Sequence, residues 1–154
     1  MNIWTFCEAF YGRQPVANLC LKLQNSFNIN IGLVIWLCWH SSQQRFVDQD
    51  VFGEAASLSL GVYQPLIIPL RQLRKHPLLS QQDASAAIIE HLLSAEILLE
   101  KSLLLRLDRE LTAKVSKAAG PDTVGLADYF RNCSVEDPEE NARFLYASAI
   151  AAVA

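Results

Sequence analysis

Ile29-Asn30-Ile31-Gly32-Leu33-Val34-Ile35-Trp36-Leu37-Cys38-Trp39 carries no charge and is apolar at almost every helical angle. A helix that is hydrophobic all round is either buried on every side or embedded in a membrane. A membrane span needs roughly 20 apolar residues. This run is shorter, and Asn28 and Asn30 before it and His40, Ser41 and Ser42 after it close it off. Its β-branched residues (Ile29, Ile31, Val34, Ile35) also permit a buried strand, because periodicity cannot separate the two in a short run. The helical patterns on both sides select a helix. The stretch is therefore expected to be the central helix of a folded core.

Working outward, Ile3, Trp4, Cys7, Phe10 and Tyr11 follow helical spacing. Gly12 ends that first helix, and Pro15 suits the first turn of a second. Val16, Leu19, Cys20, Leu23 and Phe27 form the inner stripe of the second helix, with Asn18, Lys22 and Asn25 outside. Trp4, Leu19, Leu23, Leu33, Trp36 and Leu37 are expected to share one core. Up to Gln44 only Glu8, Arg13 and Lys22 are charged, and neutral Asn and Gln do much of the surface work. That pattern fits segments covered by the rest of the chain or by a partner.

Asp48 and Asp50 look like caps for a fourth helix over 51–63. Its small face is Phe52, Ala55, Ala56, Ser59 and Val62. Pro65 and Pro69 predict a kinked continuation or a separate short helix over 66–75, ended by Pro77. Ser80-Gln81-Gln82-Asp83 resembles a capping box opening the longest helix, to about Lys117 and stopped by Gly120-Pro121. A short helix follows over 124–131, capped by Asp122 or Thr123. Asp137-Pro138-Glu139-Glu140 starts the last one. With 154 residues and no linker or repeat, the expectation is one all-α domain, 1–154, a bundle of about seven helices around a buried central helix.

Trp4-Thr5-Phe6, Tyr11, Val16, Cys20-Leu21-Lys22-Leu23-Gln24, Asn30 and Leu33 resemble the N-terminal block of a bacterial family of short all-helical proteins classed as a domain of unknown function. Pro69-Leu70-Arg71-Gln72-Leu73-Arg74, Ala95-Glu96, and Asn141 with Tyr146 resemble its later blocks. Ala142 departs from the Leu expected there. The resemblance implies a cytosolic, gammaproteobacterial-type, all-α protein and brings no catalytic residues with it.

Composition and motifs exclude several classes. A net charge of −3 implies no general affinity for nucleic acid or membrane surfaces. Cys7, Cys20, Cys38 and Cys133 form no C-x-x-C pair and no zinc spacing, so they read as reduced structural thiols of a cytoplasmic protein. The N-terminus lacks the charge and apolar pattern of a signal peptide. Glu90 and His91 are adjacent and no Glu-x-x-His occurs, which argues against a di-metal bundle. No Asp-Asp-x-x-Asp cluster, phosphate loop, dinucleotide fingerprint or nucleophile elbow is present. Neither a metal nor another cofactor is expected. Arg71, Arg74, Lys75 and His76 form the only basic cluster, without a helix-turn-helix pattern, so nucleic acid is not an expected partner. Trp36 and Trp39 read as core rather than as a ligand site.

The oddity lies in the long helix. Leu92, Leu93, Leu99, Leu103, Leu107 and Leu111 span one arc, and Glu96 and Glu100 fall inside it. An ionised carboxylate on a packed face is costly unless paired. Arg71 and Arg74, three apart, are the cations best placed to pair with them, and their planar forks suit carboxylates. The leading functional reading is a non-catalytic protein that binds another protein or itself. The alternative is a small-molecule binder or enzyme using an apolar pocket with Glu96, Glu100, Arg71 and Arg74 as polar anchors. A packed bridge would favour the first, and a cavity touching those side chains would favour the second.

Overall fold

The computed structural model describes residues 1–117 and 124–154. In chain order, α1 spans Ile3–Tyr11, α2 Gln14–Phe27, α3 Ile31–Ser42, α4 Gln49–Leu58, α5 Gln64–Arg74, α6 Ser85–Leu111, α7 Val124–Asn132 and α8 Pro138–Val153. A π-helical turn at Ser59–Tyr63 joins α4 to α5, so these two run as one continuous helix. The chain is all-α, with seven helical rods among the described residues when that pair counts once. A two-stranded antiparallel ribbon, β1 at Arg45–Phe46 and β2 at Ser116–Lys117, is the one sheet among them. The expected Gly120-Pro121 stop and the Asp122 or Thr123 cap lie outside the described residues.

α3 is the axis of the bundle. Every residue from Ile31 to Ser41 is buried, and α1, α2, α6, α7 and α8 all pack on it. Asn30 caps this helix, its Oδ1 accepting from the Leu33 N–H at 3.4 Å. The helix therefore begins two residues later than the apolar run. It also ends later, because His40 and Ser41 are buried rather than surface residues that close the run. Leu23, Leu33, Trp36 and Leu37 lie in the core, with Trp4 and Leu19 packed half-buried against it. Gly32 lets α6 come close: a Cβ there would sit 3.0 Å from Leu103 Cδ2.

The rod Gln49–Arg74 explains a phase error in the sequence reading. Val51, Ala55, Ser59, Tyr63 and Ile67 are its buried positions, each four residues apart. Such a row drifts about 40° per step around an ideal helix of 3.6 residues per turn. The π turn adds a residue to one turn and removes part of that drift. Tyr63 consequently faces inward, while the expected Val62 is exposed. Asp48 is the cap, accepting from the Val51 N–H at 2.8 Å, and Asp50 sits inside the first turn. By length and composition this rod is apolar enough to cross a membrane, yet α5 packs along α6.

Three further expectations are corrected. Ser80 does not cap α6: its hydroxyl donates to the Pro77 carbonyl within a tight 3₁₀ turn at Leu79–Gln81, and α6 starts at Ser85 without a side-chain cap. α6 stops at Leu111, not near Lys117, because the chain turns at Thr112–Lys114 to pair Lys117 and Ser116 with Arg45 and Phe46. Asp137 begins α8 through its backbone in a left-handed conformation, φ 48°, and not as a side-chain cap.

One polar cluster is sealed in this core. Among the described residues, the Trp36 indole N–H, both His40 ring nitrogens and the Ser41 hydroxyl have no hydrogen-bond partner. Trp36 and His40 meet edge to face, ring centroids 5.0 Å apart. Burial pushes the His40 imidazolium down to about 4, Arg45 adding to the effect and Asp108 opposing it. The unfolded chain takes up that proton near 6.5, so stability is complete above that pH and falls as the pH drops towards about 4. The loss should total roughly 3 kcal/mol. His40→Leu should flatten this part of an acid-unfolding profile followed by circular dichroism. Separately, Leu37→Ala should cost about 2–5 kcal/mol in denaturant unfolding.

Candidate functional site

The site grows from two helices that the sequence separates. Arg71 and Arg74 lie in the last turn of α5, where cations also suit the helix dipole. Glu96 and Glu100 lie one turn apart on α6, and α5 and α6 form the most extensive helix pairing of the fold. Glu96 is 3% exposed. Its Oε1 accepts from Arg71 Nε at 3.2 Å and from Arg74 Nη2 at 3.3 Å, while Oε2 accepts from Arg74 Nε. Arg71 Nη2 also donates to Glu100 Oε1 at 3.3 Å. The two arginines and two glutamates proposed from sequence are thus brought together as one four-residue network.

Its members are not equivalent. Glu96 is enclosed and has both oxygens engaged. The Glu100 side chain is 39% exposed and receives one long bond from Arg71. Burial raises the Glu100 carboxyl above the usual carboxylate range and neighbouring Glu96 adds to this, with Arg71 and Arg74 pulling it back. The hydrogen bond to Glu96 holds Arg74 more firmly protonated. Of the basic run, only Lys75 and His76 are exposed.

The network, with Glu8 and Gln24, forms the polar part of the wall of a cavity of about 450 Å³, whose lining comes largely from α1, α2, α3, α5 and α6. That volume lies in the range of small-molecule sites. Ile31, Ile35 and Leu104 supply apolar wall, and Leu21, Leu93 and Ile97, each more than two-fifths exposed, lead out to solvent. This corrects the expected leucine arc. Leu103, Leu104, Leu107 and Leu111 are buried, but Leu93 faces the cavity and solvent instead of packed side chains.

Trp4, Cys7 and Tyr11 also line the cavity. Periodicity placed them on the inner stripe of α1, and no feature of that stripe separates a wall facing empty space from one facing packed atoms. Burial pushes the Cys7 thiol up to about 12, with Glu100, Glu8 and Cys20 adding to it. Tyr11 rises to about 12, first by burial and then by Cys20, Glu100 and Cys7, against Arg71. Both are protonated at neutral pH and offer hydrogen-bond donors rather than nucleophiles. Trp36 and Trp39 stay in the core, Trp39 donating to Asp108 at 3.3 Å. Among the described residues no group of three or more His, Cys, Asp or Glu side chains is placed to hold a metal.

Glu96→Gln keeps the shape and removes the charge, leaving Arg71 and Arg74 without their shared counter-ion. A fully buried pair would lose about 3–5 kcal/mol and an exposed pair at most about 1. The arginines are about one-fifth exposed, so an intermediate loss of about 2–3 kcal/mol is expected in urea unfolding.

Neither a curated protein nor a solved structure matches this chain. A family model described as a protein of unknown function, DUF2390, matches residues 2–107. That stretch holds α1 to α5 and most of α6, with all four members of the Arg–Glu network and the whole cavity lining. It includes the N-terminal block, the 69–74 block and Ala95-Glu96 noted in the sequence, whereas Asn141 and Tyr146 lie beyond it. The match covers more than two thirds of the chain, which therefore belongs to the DUF2390 family of proteins of unknown function.

Proposed function

We propose that this protein binds a small, largely apolar molecule in the cavity between α1 and α6, with Glu100 and Arg71 as its polar anchor. The observation that carries this reading is the cavity itself, which touches all four members of the charged network. A network serving only as a register lock needs no empty volume beside it. Arg74 and Glu96 hold Arg71 and the α5–α6 pair in place, and Glu100 keeps an oxygen free for a ligand donor. The protonated Cys7 and Tyr11 side chains add donors without supplying a nucleophile, so binding is favoured over covalent chemistry. The four free thiols fit action in a reducing compartment such as the cytoplasm.

A second reading has its own observation. Leu60, Leu66, Leu73 and Leu98 expose between 49% and 72% of their surface on the α4–α5 rod and α6. Exposed leucines on two neighbouring helices suit docking of another protein or of a second copy where they form a continuous patch.

Both readings are testable on one preparation. Native mass spectrometry of protein purified from its own cell should show a bound small molecule that Ile97→Trp, a substitution at the cavity mouth, removes while the melting temperature stays within about 2 °C. Protein that carries no small molecule and takes up no apolar fluorescent probe would overturn the cavity reading. A mass in solution that doubles with concentration would favour self-association.

A further inference from the structure

The neutral amides of the N-terminal segment converge on a second recess. It is a groove of about 610 Å³ between the end of α2, the α2–α3 connection and the α4–α5 rod. Six of its thirteen lining residues carry carboxamides: Gln24, Asn25, Asn28, Asn30, Gln64 and Gln72. Arg71 is its one charged residue. Asn30 is engaged, capping α3 and donating to the Ser59 hydroxyl. The side chains of Gln24, Asn25, Asn28, Gln64 and Gln72 make no hydrogen bond among the described residues. Ile29, Leu33, Ala56 and Tyr129 give the groove an apolar floor.

This groove meets the apolar cavity. Gln24 and Arg71 line both, and a third recess of about 20 Å³ shares Gly32 and Glu100 with the cavity, Asn30 and Gln64 with the groove, and Gln24 and Arg71 with both.

We infer that the groove binds a polyhydroxylated, uncharged head group, and that the ligand is an amphiphile with its apolar part in the cavity and this head among Gln24, Asn25, Gln64 and Gln72. The chemistry of the lining selects that class. A carboxamide offers two donors and an acceptor without charge, and each hydroxyl of a polyol both donates and accepts. A charged head would enter a lining with no counter-charge but Arg71, already shared between Glu96 and Glu100. The apolar floor suits the carbon face of a sugar ring. The inference rests on the cavity reading for the apolar part and on the groove alone for the head group.

The test is isothermal titration calorimetry on the full chain, with probes sharing one ten-carbon tail and kept below their micelle concentrations. Decanol reports the cavity. Decyl glucoside, decyl galactoside and decyl maltoside add a polyol, decanoate a charge, and N-decanoyl-glycylglycinamide a neutral peptide-like head. At least one glycoside should bind tenfold or more tighter than decanol. Asn25→Ala combined with Gln72→Ala, both exposed, should erase that gain and leave decanol binding unchanged, which also shows that the variant is folded. If decanol binds and no glycoside binds tighter, the head-group inference falls and the cavity reading stands. If decanoate or the amide probe exceeds every glycoside, the groove recognises an anion or an amide and the inference is likewise overturned. If no probe binds, both readings fall.

Discussion

A carboxylate that is 3% exposed is costly unless cations are brought to it, and in this fold Glu96 imposes that condition on two helices at once. Arg71 and Arg74 must leave α5 on the same side, one turn apart, and α5 must lie along α6. The guanidinium groups, Glu96 and Glu100 then face the same recess as Trp4, Cys7 and Tyr11 of α1. The cavity is the space beside Ile31, Ile35 and Leu104 that this polar layer borders. An all-apolar layer of similar volume would often be as stable or more so. The charged network is therefore a poor device for stability and a suitable one for holding open a polar-ended recess.

The geometry of the α4–α5 rod makes this possible. Its π turn keeps Val51, Ala55, Ser59, Tyr63 and Ile67 on one face although they are spaced four apart. Continuing that spacing leads to Arg71. Ser59, inside the π turn, accepts from Asn30, the residue that caps the central helix. The start of α3, the π turn in the rod and the position of Arg71 are thus joined through short links. A π turn inserted at a functional site is a recurrent device.

Much of the fold was legible because it follows from helical periodicity. The uncharged run around Trp36 permits a buried helix or a buried strand, its helical neighbours select the helix, and α3 is that helix. The glutamates inside a leucine arc demanded arginine partners, and the two nearest in type and spacing are the ones found. What stayed hidden depends on tertiary packing. Tyr63 faces inward where Val62 was expected because of one extra residue in a turn. Two-residue strands such as Arg45–Phe46 carry no alternation to detect. The Ser80 hydroxyl serves a local turn instead of α6. The polar anchors of an apolar pocket are legible in Glu96, Glu100, Arg71 and Arg74, but its other walls are not, since Cys7, Tyr11 and Leu93 read as ordinary core-facing positions. The scarcity of charge up to Gln44 points to segments covered by the chain or a partner but not to where their amides meet, and the structure gathers four of them into one groove.

The Arg74–Glu96 contact joins α5 to α6, and its energy decides whether the network holds the two helices together. A double-mutant cycle with Arg74→Met and Glu96→Gln, read by urea unfolding, measures that link without the cost of stranding either partner alone. The account predicts a coupling energy of at least about 1.5 kcal/mol, within the range found for residues in direct contact. Additive losses, with a coupling within about 0.5 kcal/mol of zero, would contradict it and reduce the network to a surface feature.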